Sequence, residues 1–235
     1  MNEKVTEIVF ILDCSGSMDR ISSDAIGGFN AFVKEQKKLP DKANFTLVLF
    51  NHKYNLVYNG IDIKEVEELD DKTYTPSGTT ALLDAVGRTI DDVKGRLDKT
   101  CPTCGHGEKV NCKVLVGILT DGLENASKDY SKTKINKMIE GMKKDEWEFV
   151  FLAANQDAIR EGTGIGVSTS NSMNYTFDSA GIKKGMRAMK YASTSYRTLG
   201  HVGDFKRGAD DKDKEVDLLD QIKTIAAAQK DDKKE

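Results

Sequence analysis

The chain has 235 residues, 38% of them hydrophobic and 31% charged, with only three prolines; this describes an ordinary folded protein and excludes a fibrous or largely disordered one. Its length suits one α/β domain with a full core and an additional segment. A formal net charge of −3 excludes both the strongly basic footprint of a nucleic-acid binder and the charge density of an acidic solvating chain.

The opening Met1-Asn2-Glu3-Lys4 lacks the basic region and apolar core of a secretory signal. No apolar run approaches the ~18 residues needed to span a bilayer, so the expectation is a cytoplasmic protein without membrane association. The run Ile8-Val9-Phe10-Ile11-Leu12 reads as a strand buried on both faces, which delivers Asp13 to a loop. There Asp13, Ser15 and Ser17 offer one carboxylate and two hydroxyls within five residues, and Gly16 lets the backbone turn tightly enough for all three to face one point. Hard cations such as Mg²⁺ take oxygen ligands of this kind, and the loop supplies part of such a shell. The rest must come from elsewhere in the chain. Cys14, inside this motif, reads as a small core residue, because a soft thiolate suits Mg²⁺ poorly.

Ser22 or Ser23 begins a helix with Ile26, Phe29, Phe32 and Val33 on its core side, ending at Leu39-Pro40. Phe45–Phe50 and Tyr54–Tyr58 read as two strands whose short link suits an antiparallel pair, which puts the second at a sheet edge; His52 in that link reads as a surface residue. A short acidic helix is expected over Ile63–Leu69. Thr75-Pro76-Ser77-Gly78-Thr79-Thr80 then opens a helix from Ala81 to about Leu97, so Thr79 or Thr80 either caps that helix or gives a second-loop hydroxyl to the cation of the first. Lys113–Thr120 is another buried strand, and Asp121-Gly122 comes at its tip, repeating the geometry of the opening stretch. A helix from Lys132 to about Lys144, a strand over Trp147–Ala153, a short helix near Ala158–Glu161, a last strand over Met173–Phe177 and a helix from Ser179 to about Tyr196 complete the alternation. The glycine-rich turn Gly162-Thr163-Gly164-Ile165-Gly166 lacks the preceding strand that a nucleotide loop requires. Lys183, Lys184, Arg187 and Lys190 read as a solvated helix face, with a basic contact surface as the alternative. Alternating strands and helices call for an open, mainly parallel sheet with helices on both faces, and ligands bind such sheets at the carboxyl ends of the strands, where Asp13 and Asp121 both lie.

These residues resemble a known family. Asp13-Cys14-Ser15-Gly16-Ser17, Ser77-Gly78-Thr79-Thr80-Ala81-Leu82 and Leu119-Thr120-Asp121-Gly122 are similar, in order and spacing, to the three loops of the metal-ion-dependent adhesion site of von Willebrand factor type A (VWA) domains, over roughly residues 5–195. The resemblance implies a Rossmann-like, doubly wound sheet with one antiparallel edge strand and a divalent cation at its C-terminal edge, usually Mg²⁺, with Mn²⁺ or Ca²⁺ as alternatives. It implies direct ligation by Ser15 and Ser17, with Asp13 and Asp121 bound directly or through water. Thr80 is favoured as the third hydroxyl, with Thr79 in reserve, since the family usually shows paired glycines before one threonine and here Ser77-Gly78 precedes two. It also implies a binding module of bacterial or phage type, not an enzyme. A coordination position left open by two carboxylates and three hydroxyls would take an Asp or Glu side chain of another protein. The competing reading is a metal-dependent phosphohydrolase with Asp13 as nucleophile, but such enzymes use a second acid two residues on, where this chain has Ser15. A structural subunit whose site binds a neighbour in a larger assembly is a third reading, and the oligomeric state is left open.

Two segments fall outside this pattern. Residues 98–112 form an insertion in which Cys101, Cys104, His106 and Cys112 match the donor types of a tetrahedral structural Zn²⁺ site, which would order a short polar segment with little to bury; a redox or disulfide pair and exposed free thiols are the alternatives. After a domain over residues 1–199, residues 200–213 read as a glycine- and charge-rich linker. Residues 214–235 read as an amphipathic helix carrying Val216, Leu218, Leu219, Ile222 and Ile225, succeeded by a charged tail; it either packs back on the domain or binds another chain.

Overall fold

In the computed structural model of the chain, residues 5–100, 113–154 and 158–210 are described. β1 (Thr6–Asp13) is buried along its whole length, as a run of β-branched and aromatic side chains requires. Successive side chains of a strand point to opposite faces, so Ile8, Phe10 and Leu12 enter one core and Val9 and Ile11 the other. Beside β1 run β2 (Ala43–Phe50), β4 (Lys113–Thr120), β5 (Trp147–Ala154) and β6 (Ser172–Tyr175), all parallel, while β3 (Tyr54–Asp62) pairs antiparallel with β2. The strand order is β3-β2-β1-β4-β5-β6. The chain therefore winds outward from β1 on one side, then returns to β4 on the other.

α1 (Ser22–Lys37) and α5 (Ser179–Leu199) cover one face of the sheet, and α2 (Leu82–Thr100) and α3 (Lys132–Met142) the other. On the first face Phe10 lies 5.5 Å from Phe32 and 6.0 Å from Phe29, ring centre to ring centre, with Phe45 against both helix rings. Each such buried ring contributes about 1.5–3 kcal/mol relative to exposure. On the second face Val86, Ile90 and Val93 of α2 and Ile135 and Ile139 of α3 lie on the sheet. Trp147 begins β5 and stacks on Phe149, 6.2 Å away. Glu7 is a buried charge near the amino end of β1, and Arg96 answers it with two hydrogen bonds, of 2.5 and 3.2 Å.

The alternation expected from sequence is present, with differences in several elements; β3, for one, runs on to Asp62. The acidic helix over Ile63–Leu69 is a single 3-10 turn, Ile63–Glu65. Beyond it Ile63, Val66 and Leu69 are still buried, but the Asn30 side chain bonds both the N–H and the C=O of Leu69 and Lys37 Nζ donates to Val66 O, which holds the backbone in a non-helical path. α4 (Ala158–Gly164) takes in the first part of the glycine-rich turn, and a Cβ on Gly162 would lie 2.4 Å from Ser172 Oγ. β6 is shorter than expected and α5 longer. The stretch read as a linker is structured in part: α6 (Phe205–Asp210) lies on α5 with Phe205 and Ala209 buried. The insertion with Cys101, Cys104, His106 and Cys112, and the helix expected over 214–229, lie outside the described residues. Among the described residues no helix is long and apolar enough to cross a membrane.

Candidate metal centre

β1 and β4 are adjacent, and the chain leaves them toward opposite sides of the sheet. The crevice at their carboxyl ends is the place where such sheets bind ligands. Asp13 ends β1 and is fully buried. Its Oδ1 accepts the Ser15 N–H at 2.8 Å and its Oδ2 the Thr120 hydroxyl at 2.6 Å, so both oxygens are held. Two tyrosines fix the backbone around it: Tyr74 donates to the Asp13 carbonyl at 2.6 Å and Tyr175 to the Thr120 carbonyl at 3.0 Å.

The first loop continues as a 3-10 turn, Gly16–Ile21, and this coil brings its hydroxyls together. Ser15 Oγ lies 3.2 Å from Ser17 Oγ, and Ser17 Oγ donates to Asp121 Oδ1 at 3.0 Å. Oxygens of the first and third loops thus form one connected row at the crevice. The second loop is laced to the first by Gly16 N–H to Gly78 C=O (3.0 Å) and Ser77 N–H to Cys14 C=O (2.9 Å). Gly78 has a φ of +71°, a conformation that favours glycine, and a Cβ there would meet the His52 ring. His52 is exposed, as expected, with its ring against this loop.

The two threonines separate. Thr79 is exposed, whereas Thr80 is 3% exposed and its Oγ1 lies 3.0 Å from where a Cβ on Gly122 would sit, which turns it toward the third loop. Asn125 holds Thr80 in place, accepting its N–H at 2.9 Å and donating a backbone N–H to its carbonyl at 3.0 Å. The amino end of α2 is capped from the segment after Asp121: Glu124 accepts the Leu83 N–H (2.8 Å) and Ser127 Oγ the Asp84 N–H (3.0 Å). Sequence reasoning does not single out Thr120, Tyr74, Tyr175, Asn125 or Glu124. Of these only Thr120, adjacent to Asp121, carries a local signal.

Asp13 and Asp121 share this crevice, and none of the described ion pairs reaches either. Burial raises the Asp13 carboxyl above its ordinary range in spite of its hydrogen bonds. Asp121 is pushed up to about 6, by burial first and then by the charge of Asp13. The donor set is hard oxygen throughout. Cys14 turns into the core, where burial pushes its thiol up to about 11. Among the described residues no three His, Cys, Asp or Glu side chains converge on a metal position; beside the two carboxylates the crevice offers serine and threonine hydroxyls. Two carboxylates without a basic partner beside neutral hydroxyls fit a hard divalent cation.

No family model matches the sequence, and no curated protein matches it. Solved structures do. Proximal thread matrix protein 1 from the mussel byssus, with a zinc-occupied metal-ion-dependent adhesion site motif, is 18% identical with a TM-score of 0.56 over 79% of this chain and 44% of its own. A von Willebrand factor type A protein from Catenulispora acidiphila is 17% identical (TM-score 0.52; 81% and 43% covered), and the ArnB paralog VWA2 from Sulfolobus acidocaldarius 16% identical (TM-score 0.51; 80% and 44%). The chain thus spans less than half the length of these structures. Its six-stranded, mainly parallel sheet with one antiparallel strand is the VWA fold.

Proposed function

We propose that the chain is a divalent-cation-dependent protein-binding module that uses Ser15, Ser17, Thr80, Asp13 and Asp121. The observation that carries this reading is the oxygen row from Ser15 through Ser17 to Asp121, set against the buried Asp13 at the switch point of the sheet. In this reading Ser15, which is buried, and Ser17, which is exposed, are direct ligands, their hydroxyl oxygens 3.2 Å apart. Both oxygens of Asp13 are engaged, which favours a role through water. Mg²⁺ suits this set, with Mn²⁺ or Ca²⁺ as substitutes; bound there, it would supply a coordination position for the Asp or Glu carboxylate of another protein. The likeness to a byssus protein with a zinc-occupied motif of this kind supports an ion at this edge. A fully buried Asp13 with both oxygens held is poorly placed to act as a nucleophile, which supports binding over phosphohydrolysis. The three clustered cysteines of the insertion fit the cytoplasm expected from sequence and a structural Zn²⁺ with His106.

Calorimetric titration with Mg²⁺ and Mn²⁺ tests the reading. Ser15→Ala/Ser17→Ala is expected to lower affinity at least about tenfold, as removal of two direct ligands should. Equal affinities would overturn it. For the partner, affinity capture by wild type should be lost both in the double variant and in chelator; retention in all three would sink the metal-bridged mode. For the insertion, purified protein should carry about one zinc per chain, lost in Cys101→Ser/Cys104→Ser.

A further inference from the structure

Among the described residues, Leu123 and Ile159 are the large apolar side chains left exposed, by 61% and 41%. Leu123 follows β4, and Ile159 stands in the first turn of α4, after β5. β4 and β5 are parallel neighbours, so both residues belong to the carboxyl edge of the sheet, where the candidate metal centre lies. A lone exposed leucine needs no explanation. Leu123 is set apart by where it sits and how it is held.

It comes two residues after Asp121, which puts the two Cα atoms no more than about 7.6 Å apart. Its neighbours on both sides are pinned. The Gly122 N–H donates to Thr120 Oγ1 at 3.3 Å, while Glu124 accepts the N–H groups of Leu83, Ala126 and Ser127. Asn125 is bonded to Thr80 through both its backbone N–H and its side chain. The loop thus holds the leucine at a fixed place in solvent, and a partner that covers it has little left to order. The first loop, the second loop and the β2–β3 link instead expose Ser17, Thr79, His52 and Lys53, all polar.

We propose that Leu123 anchors the partner, and that the protein bound here carries a large apolar side chain no more than about three residues from the Asp or Glu that reaches the metal, since an extended segment advances about 3.3 Å per residue. The proposal rests on the reading of the crevice as a metal-dependent binding site and adds to it what the site selects. Carboxylates occur on every protein surface, so the ion by itself discriminates little. A leucine, isoleucine or phenylalanine laid on Leu123 supplies the discrimination, and it orients the partner with its apolar flank toward the β4–β5 side of the crevice, where Ile159 extends the apolar surface.

NMR titration of the full chain with seven-residue peptides tests this. Each peptide has a central Asp in a Gly/Ser background; one set carries a single Leu at each flanking position in turn, one peptide has no Leu, and one has Asn in place of the Asp. All are titrated in Mg²⁺ and in EDTA, against wild type and Leu123→Ser, the fold of the variant checked by circular dichroism. With wild type in Mg²⁺, at least one Leu peptide should bind at least about fivefold tighter than the peptide without Leu, as partial burial of one leucine on another allows, and should shift the Leu123 methyl resonances. In Leu123→Ser that advantage should vanish while the Mg²⁺-dependent binding of the Leu-free peptide persists. Equal affinities of wild type for the peptides with and without Leu would overturn the proposal and leave the metal-bridged reading standing. An advantage that survives in Leu123→Ser would also overturn it, by placing the apolar contact elsewhere. Asp peptides that bind no better than the Asn peptide, or no better in Mg²⁺ than in EDTA, would overturn the metal-bridged reading and the proposal with it.

Discussion

The Thr120 hydroxyl and the Ser15 N–H each hold one oxygen of the buried Asp13 carboxylate, so deleting the hydroxyl strands an acceptor where water has no access. Thr120→Val is expected to cost about 1–3 kcal/mol, read as a lower denaturation midpoint at an unchanged m value; an unmoved midpoint would mean the bond adds nothing. Asp121 gives a pH signature. Its carboxyl is raised from 3.8 to about 6 by burial and by Asp13, so the folded chain takes up a proton between those values and the charged form opposes folding above them. In chelator, Asp121→Asn should therefore gain stability over wild type as pH rises from 4 to 7, measured by chemical denaturation at several pH values. A difference that stays flat would contradict the assignment. Asp13, Ser15, Ser17 and Asp121 were legible in the sequence because each stands at or beside the end of an apolar run. Tyr74, Tyr175 and Asn125 were not, since each acts on a group 61, 55 or 45 residues away.

At the scale of elements, the segment Ile63–Leu69 shows what spacing leaves open. Apolar residues three apart satisfy a helix, yet they equally fill a core from an irregular path when a side chain such as Asn30 takes the backbone hydrogen bonds. The turn into α5 shows the opposite case, a position set by close approach. A Cβ on Gly181 would lie 1.8 Å from the Thr176 carbonyl oxygen, a backbone atom that cannot swing aside. In an unconstrained helix Gly→Ala stabilises by roughly 1 kcal/mol; here Gly181→Ala is expected to destabilise by about 1–3 kcal/mol from overpacking, visible as a lower Tm. A rise in Tm would show that the turn adjusts freely. α6 was hidden for a related reason: a six-residue helix has too few apolar positions for a period, and it forms because Phe205 and Ala209 find α5.

For the whole molecule, strand and helix alternation was enough to read a parallel sheet with two covered faces, because β1, β2, β4 and β5 are largely apolar and helices separate most of them. The order of strands was not readable, since it depends on the side to which α2 carries the chain after β3. That choice creates the crevice, and it couples the site to folding. An ion that binds only the folded state at 100 times its dissociation constant adds about 2.7 kcal/mol, which for a chain of this size raises Tm by roughly 2–4 °C per kcal/mol. The Tm of wild type should climb with Mg²⁺ and that of Ser15→Ala/Ser17→Ala should not; parallel rises would point to cation binding elsewhere. The placement of Trp147 gives these events separate optical channels. It is the chain's one tryptophan and opens β5, whose eight residues put roughly 20–25 Å between the indole and the carboxyl edge of the sheet. Indole emission will therefore track loss of the core without being quenched or shifted by occupancy of the crevice, so one sample can be titrated in silence and then melted in full view.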